Sequence, residues 1–327
     1  MSGTLPLIVA AVGGVFLTVA AGAGARAAGW LTPAASDSLL RLSINLLFPC
    51  FVLDVLVGNP ALADPLDALA PPAVGFATTV LGFAVGGLVA RALGPRIGLR
   101  TPAARRTFAL IVGMYNYGYT PIPIVEALFP GEPTLGVLLV HNVGVDLALW
   151  SVGVTVVSGG FAPGWWRRPL NAPLLAIVVA LAVNATGADA WLLRDAGDIG
   201  GAVAGVITGA LGLIGATAIP LALLLVGGSV LDAARSTPLL RDPLVPLTGA
   251  VLRLGVLPLC FVALTWLLPL GVHLDRVVRV EAAMPAALFP ILLARVYGGD
   301  PAVAVRVALF TTVLGLVTIP LWLTLLL

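Results

Sequence analysis

Apolar residues fall into ten blocks, each close to the ~20 mostly apolar positions an α-helix needs to cross a bilayer. They cover residues 5–25, 36–57, 69–93, 104–128, 134–158, 172–187, 200–230, 244–268, 277–296 and 302–326. The sixth block is short and the seventh long. The pattern predicts an all-α polytopic membrane protein with ten transmembrane helices. The first block ends among small residues but lacks a positively charged leader, so it reads as a retained first helix rather than a secretory signal.

Two blocks carry residues that a uniform membrane helix does not tolerate. In 113–132 these are Asn116, Gly118, Thr120, Pro121 and Pro123. Each proline lacks an N–H and clashes with the preceding turn, so a regular helix cannot run through. Open backbone at membrane depth survives only where protein or a water-filled cavity surrounds it. Pro285 and Pro290 interrupt the ninth block in the same way. The punctuation also repeats. Phe129-Pro-Gly-Glu-Pro133 closes the fourth block and Tyr297-Gly-Gly-Asp-Pro301 the ninth, and Pro49 in the second block matches Pro220 in the seventh. The offsets are 168 and 171 residues. A five-helix repeat has an odd count, so its second copy inserts upside down, as in many secondary transporters. The expected halves are residues 1–160 and 161–327, with helices four and nine broken and crossing.

Composition agrees: 60% of the 327 residues are hydrophobic and 10% charged, against about a quarter charged in soluble domains. The net charge of +2 gives no basic surface for nucleic acid. Cys50 and Cys260 lie inside apolar blocks and read as small buried hydrophobes, not as a metal or redox site. No cofactor is expected. The linkers hold most charges. Arg91, Arg96, Arg100, Arg105 and Arg106 lie between blocks three and four, and Arg167 and Arg168 follow Trp165 and Trp166 between five and six. If both linkers are cytoplasmic, Arg26, Arg41, Arg235, Arg241, Arg295 and Arg306 fall inside. Asp64, Asp67, Glu132, Asp189, Asp195 and Asp198 then fall outside, and Arg194, Arg276 and Arg279 break the pattern. This predicts a cell-membrane protein with both termini outside.

Asn116-Tyr-Gly118-Tyr-Thr-Pro-Ile-Pro123 resembles the Asn-x-Gly…Pro segment of the auxin efflux carrier family. Ile44-Asn45-Leu-Leu-Phe-Pro49, Ile219-Pro220-Leu-Ala-Leu-Leu-Leu-Val-Gly227 and Arg253-Leu-Gly-Val-Leu-Pro258 resemble its second, seventh and eighth helices. Pro285-Ala-Ala-Leu-Phe-Pro290-Ile-Leu-Leu-Ala294-Arg-Val-Tyr297 is similar to its ninth, and the Pro285/Pro290 pair to the plant auxin exporters. The five motifs keep the family's order over nearly the whole chain. The resemblance implies a five-plus-five inverted repeat, a scaffold half and a transport half moving as an elevator, and organic anions as substrates. The fold is also similar to that of the sodium–bile acid symporters. Two positions depart: Pro121 stands where the family usually has Gly, and Phe289 where bacterial relatives often have Asn.

Broken helices suggest how an anion is held. The N-terminal end of a half-helix carries roughly half a positive charge, and two such ends can hold a carboxylate without a cationic side chain. The expected contacts are Asn45, Asn116, Tyr117, Gly118, Tyr119, Thr120, Pro121, Pro123, Pro285, Ala286, Phe289 and Pro290. Each tyrosine could instead pack against its neighbours. Ionisable groups at membrane depth are costly and usually functional. Asp146, with His141 near it, and Glu126 are candidates for a coupling proton, with a fixed structural pair as the other reading. Asp54, Glu281 and Arg253 read as structural, Arg253 pairing with a carboxylate or backbone carbonyls of another helix. Sodium would need converging oxygens, and only Glu126, Asn116, Thr120 and Asn142 offer themselves. No intramembrane protease motif or phosphate-cradling loop occurs. Besides substrate and lipid, a second copy of the chain is a candidate partner. A sodium symporter of the bile-acid type and a non-transporting membrane sensor remain as alternatives.

Overall fold

The computed structural model describes residues 4–62, 65–160, 171–193, 199–238 and 242–327. The positions Asp64, Trp165, Trp166, Arg167, Arg168, Arg194, Asp195, Asp198 and Arg241, and the side chain of Asp67, lie outside the described residues. The regular elements described are helices. They are α1 (Thr4–Ala27), α2 (Pro33–Leu56), α3 (Pro65–Ile97), α4 (Pro102–Gly113), α5 (Pro121–Leu128), α6 (Thr134–Ser158) and α7 (Ala172–Ala185). After the single turn Asp189–Leu192 come α8 (Ile199–Gly215), α9 (Ala218–Ser236), α10 (Leu244–Leu267), α11 (Val272–Ala282), α12 (Phe289–Val296) and α13 (Pro301–Leu326). Seven runs among the described residues are long and apolar enough to cross a membrane: α1, α2, α3, α6, α8 with α9, α10 and α13. The chain is a polytopic helical membrane protein.

Three apolar blocks are not single helices. Block 104–128 divides into α4 and α5, and block 277–296 into α11 and α12. Block 200–230 lies in α8 and α9, which meet at Ala216 and Thr217, just before Pro220. The starts of the helices are written in the chain. Thr32, Thr101 and Asp300 each precede a proline and accept a hydrogen bond from a first-turn amide (Ala35, Ala104 and Ala302). A capping oxygen followed by proline at the first helical position satisfies one orphan N–H and removes another.

Prolines inside the spans have local consequences. Pro258 cannot donate to the carbonyl of Leu254, and the turn Leu252–Val256 just before it widens to π-helical spacing. Trp322 of α13 fills the gap, its indole N–H donating to the Leu254 oxygen at 2.7 Å. Trp322→Phe should therefore strand a carbonyl and cost about 1–3 kcal/mol. A lower Tm in detergent checks this, and an unchanged one refutes it.

Glycines set the closest helix contacts, as expected where small residues let membrane helices approach. A Cβ on Gly22 would collide with the Leu224 carbonyl, and one on Gly227 with that of Val19, so α1 and α9 lie backbone to backbone. Gly75 and Gly144 lock α3 to α6 against the His141 and Pro72 carbonyls in the same reciprocal way. Several arginines are neutralised. Arg26 pairs with Asp232 at 3.3 Å and Arg306 with Asp242 at 3.4 Å. Two of the arginines that broke the charge pattern are also paired: Arg276 with Glu132, and Arg279 with Asp275 at 2.7 Å.

Candidate functional site

Between α4 and α5 the chain leaves helical geometry from Met114, where φ is −93° and ψ 106°. A second irregular stretch joins α11 to α12. The two meet. Tyr115 and Ala286 form an antiparallel β-bridge, with Asn116 N–H donating to the Pro285 carbonyl at 2.8 Å and Ala287 N–H to that of Met114 at 2.9 Å. Freed backbone groups at both breaks thus satisfy each other, as buried backbone must. Thr311 of α13 adds a hydroxyl that accepts from Ala286 N–H at 3.2 Å.

The carbonyl end of α11 is closed from α10. Arg253 is fully buried and donates through Nε to the Met284 carbonyl at 3.1 Å. Its Nη2 donates to the carbonyls of Ala282 at 3.1 Å and Glu281 at 3.5 Å. The guanidinium lies 5.1 Å from the Tyr115 ring centroid and 5.2 Å from that of Phe261. A cation suits a helix C-terminus, which carries roughly half a negative charge. As expected for Arg253, its partners are backbone carbonyls of another helix.

Extended backbone sends alternate side chains to one face, which holds for Tyr115 and Tyr117, whereas Tyr119 lies in the turn before α5. Tyr115 and Tyr117 meet edge to face at 6.5 Å. The Tyr115 hydroxyl lies 3.2 Å from Thr78 Oγ1 and 3.5 Å from Thr79 Oγ1 of α3. Tyr117 donates to Asp146 Oδ1 at 2.5 Å, and Asn142 Nδ2 donates to the Tyr117 carbonyl at 2.7 Å. Tyr119 packs edge to face on Phe48 of α2 at 6.3 Å.

Against the joined breaks lies a cavity lined by Val15, Phe16 and Val19 of α1, Asn116, Thr120, Val226 and Val230 of α9, Pro285, Leu288 and Thr312. Its volume is about 20 Å³, room for one water. Asn116 Nδ2 donates to Thr120 Oγ1 at 2.8 Å, fixing both side chains there. Open space adjoins Gly118. The first turns that follow are short of donors. Pro121 and Pro123 open α5, where Ile122 N–H is spent on the Gly118 carbonyl at 3.3 Å. In α12 Pro290 takes the second position, and Ile291 N–H goes to Leu288. Polar capacity at the cavity therefore rests on Asn116, Thr120 and Thr312 more than on the helix starts.

The structure brings Asn116, Thr120 and Pro285 together at the cavity, with Ala286 in the bridge and Tyr117 beside Asp146, while Gly118 and Pro121 do not line it. It leaves others apart. Asn45 is exposed in the π-helical turn Ser43–Leu47 and donates to the Arg41 carbonyl of its own helix. Phe289 packs on Trp150 at 5.7 Å, and Pro123 and Pro290 do not line the cavity. Glu126 lines a separate, open pocket of about 370 Å³ beside Asn59, Glu132 and Gly136. His141 lies against α3, its Nδ1 3.4 Å from Asn142 Oδ1. Five helical residues separate it from Asp146, a rotation of about 140°, so the two point apart. Of the sodium candidates Asn116 and Thr120 meet, while Asn142 is committed to Tyr117 and Glu126 is elsewhere. Thr78, Thr79, Thr311 and Thr312 were not foreseen. Paired threonines inside apolar runs were the available signal.

An uncharacterized transporter of Methanothermobacter thermautotrophicus is 25% identical over 297 residues, 88% of each chain. Residues 7–158 and 163–323 match the family described as membrane transport protein, which is of the auxin efflux carrier type. With both halves of the sequence matched and backbone opened inside two apolar spans, the chain belongs to this membrane transport protein family.

Proposed function

We propose that the chain is a secondary transporter for a small organic anion, a carboxylate, held where the two breaks meet. The observation that carries this reading is the small cavity at the Tyr115–Ala286 bridge, mostly apolar, with Asn116, Thr120 and Thr312 as its polar groups and no cationic side chain in its lining. Amides and hydroxyls in a dry site suit a carboxylate that must also be released. In this reading the helices form a ten-span, five-plus-five inverted repeat whose fourth and ninth members cross at the breaks. Its support is periodic. Helices α4, α5 and α6 begin at 102, 121 and 134, and α11, α12 and α13 at 272, 289 and 301, offsets of 170, 168 and 167 residues.

The same reading gives an elevator-type cycle. α1, α2, α7, α8 and α9 pack mainly with one another, as do α3, α4, α6, α10, α11 and α13. The seam between the groups runs through the cavity. At about 20 Å³ the site is closed, so substrate must part α1 and α9 from the breaks. Proton coupling falls to Asp146, gripped by Tyr117 beside the first break. Both termini lie outside the cell membrane, with the arginine linkers in the cytoplasm. The scattered oxygens of Asn116, Asn142 and Glu126 do not favour sodium.

Proteoliposomes offered labelled mono- and dicarboxylates test this. Saturable uptake is expected, whereas linear flux would indicate a channel and no flux across the panel a sensor. If Asp146 carries the proton, Asp146→Asn transports without its dependence on pH. Preserved pH dependence removes Asp146 from the mechanism.

A further inference from the structure

One acidic side chain stands unpartnered inside the fold. Glu281 lies at the end of α11, 1% exposed, and neither carboxylate oxygen has a hydrogen-bond partner. A counterion is close enough to act on it electrostatically, since Arg253 is buried beside it. Yet that guanidinium is turned to the main-chain carbonyls of Met284, Ala282 and Glu281, and its Nη1 is left without a partner. An ionised carboxylate withdrawn from water with no donor is far costlier than the neutral acid. Arg253 already answers the negative end of α11, so it does not need the side chain's charge.

We infer that Glu281 is a proton-binding site set against the second break. While the carboxyl holds its proton, Arg253 stays on the carbonyls and fixes the segment that carries Pro285. When the proton passes to water reaching the opened break, a carboxylate remains next to a guanidinium with a free Nη1. The ion pair that then forms draws Arg253 off the carbonyls and releases the segment.

The other groups near α11 do not compete for this role. Tyr115, from the first break, acts on Glu281 but is bonded to Thr78. From α6, His141 lies against α3 and Asp146 accepts from Tyr117. From α13, Arg306 reaches Asp242, and from α5, Glu126 lines the open pocket. Arg279, on α11 itself, pairs with Asp275. The use of this proton in transport rests on the carrier reading. The existence of the site does not.

The chain has three glutamates, at 126, 132 and 281. Glu126 is exposed and Glu132 is paired with Arg276. Glutamate labelled with carbon-13 at its side-chain carboxyl should thus give three resolvable signals in the full chain in lipid. At pH 7 one signal is expected at the position of a neutral acid, and it should be missing from Glu281→Gln. Three carboxylate signals would overturn the inference. So would a neutral signal that survives in Glu281→Gln. If that variant does not fold, the wild type alone decides, because one of its three signals must still stand at the neutral-acid position at pH 7. A neutral Glu281 without flux of any carboxylate would sink the carrier reading and leave the proton site standing. Saturable flux with three ionised signals would do the reverse.

Discussion

Arg253→Met is expected to lower the Tm of the purified protein by roughly 10 °C and to abolish carboxylate uptake. The side chain's size is nearly kept, so a cavity is not the main cost. The cost lies in the carbonyls of Ala282 and Met284, which lose the guanidinium as donor inside the protein, while that of Glu281 keeps Met284 N–H. A buried acceptor left without a partner costs about 1–3 kcal/mol. Removing the buried cation returns part of that, since its own desolvation is relieved. A net loss of about 3 kcal/mol remains, which at 2–4 °C per kcal/mol gives the stated shift. Uptake is lost because residues 283–288 are no longer held against Tyr115. Arg253→Lys restores the charge but not the fork of donors, and should recover only part of the Tm. Full stability in the methionine variant would mean that the end of α11 does not depend on this cap.

Asn116→Asp should remove uptake of carboxylates while leaving the fold intact. The two side chains have the same shape, and Thr120 can turn its hydroxyl to donate where it now accepts. What changes is the charge at the cavity. Two like charges about 4 Å apart repel by about 4 kcal/mol at an effective dielectric constant near 20. That is nearly three decades in affinity. Uptake at low substrate concentration should therefore fall by about a hundredfold or more. Asn116→Leu removes the amide without adding a charge and should cost about tenfold. An aspartate variant that transports carboxylates as well as the wild type would show that the anion does not bind there.

Proline spacing made the interruptions legible, because a missing N–H and a ring clash act whatever surrounds them. Pro285 lies in a stretch the structure leaves non-helical, and Pro121 opens the helix that follows the other one. Asn116 and Thr120 were both expected at the site, but their pairing, four residues apart, is a finding of the structure. Facing was harder. A break resets helical phase, so nothing in the sequence said that Glu126, beyond the first break, would turn to the open pocket. The π-helical turn at Ser43–Leu47 adds a residue to its turn and carries Asn45 to the exposed side. His141 was misplaced by counting turns without counting degrees. Arg253 looked structural from its apolar surroundings, but its hold on the second break depends on helix packing that no local pattern encodes.

The pairing of Met114 and Asn116 with Pro285 and Ala287 bears on biogenesis. Its partners stand more than half the chain length apart, so the ribosome must deliver most of the protein before the first break finds its hydrogen bonds. Until then Asn116 N–H and the Met114 oxygen sit in lipid unmatched, a state the bilayer penalises heavily. The nascent amino-terminal half therefore waits on its later half, and this link makes insertion of the two a single cooperative event.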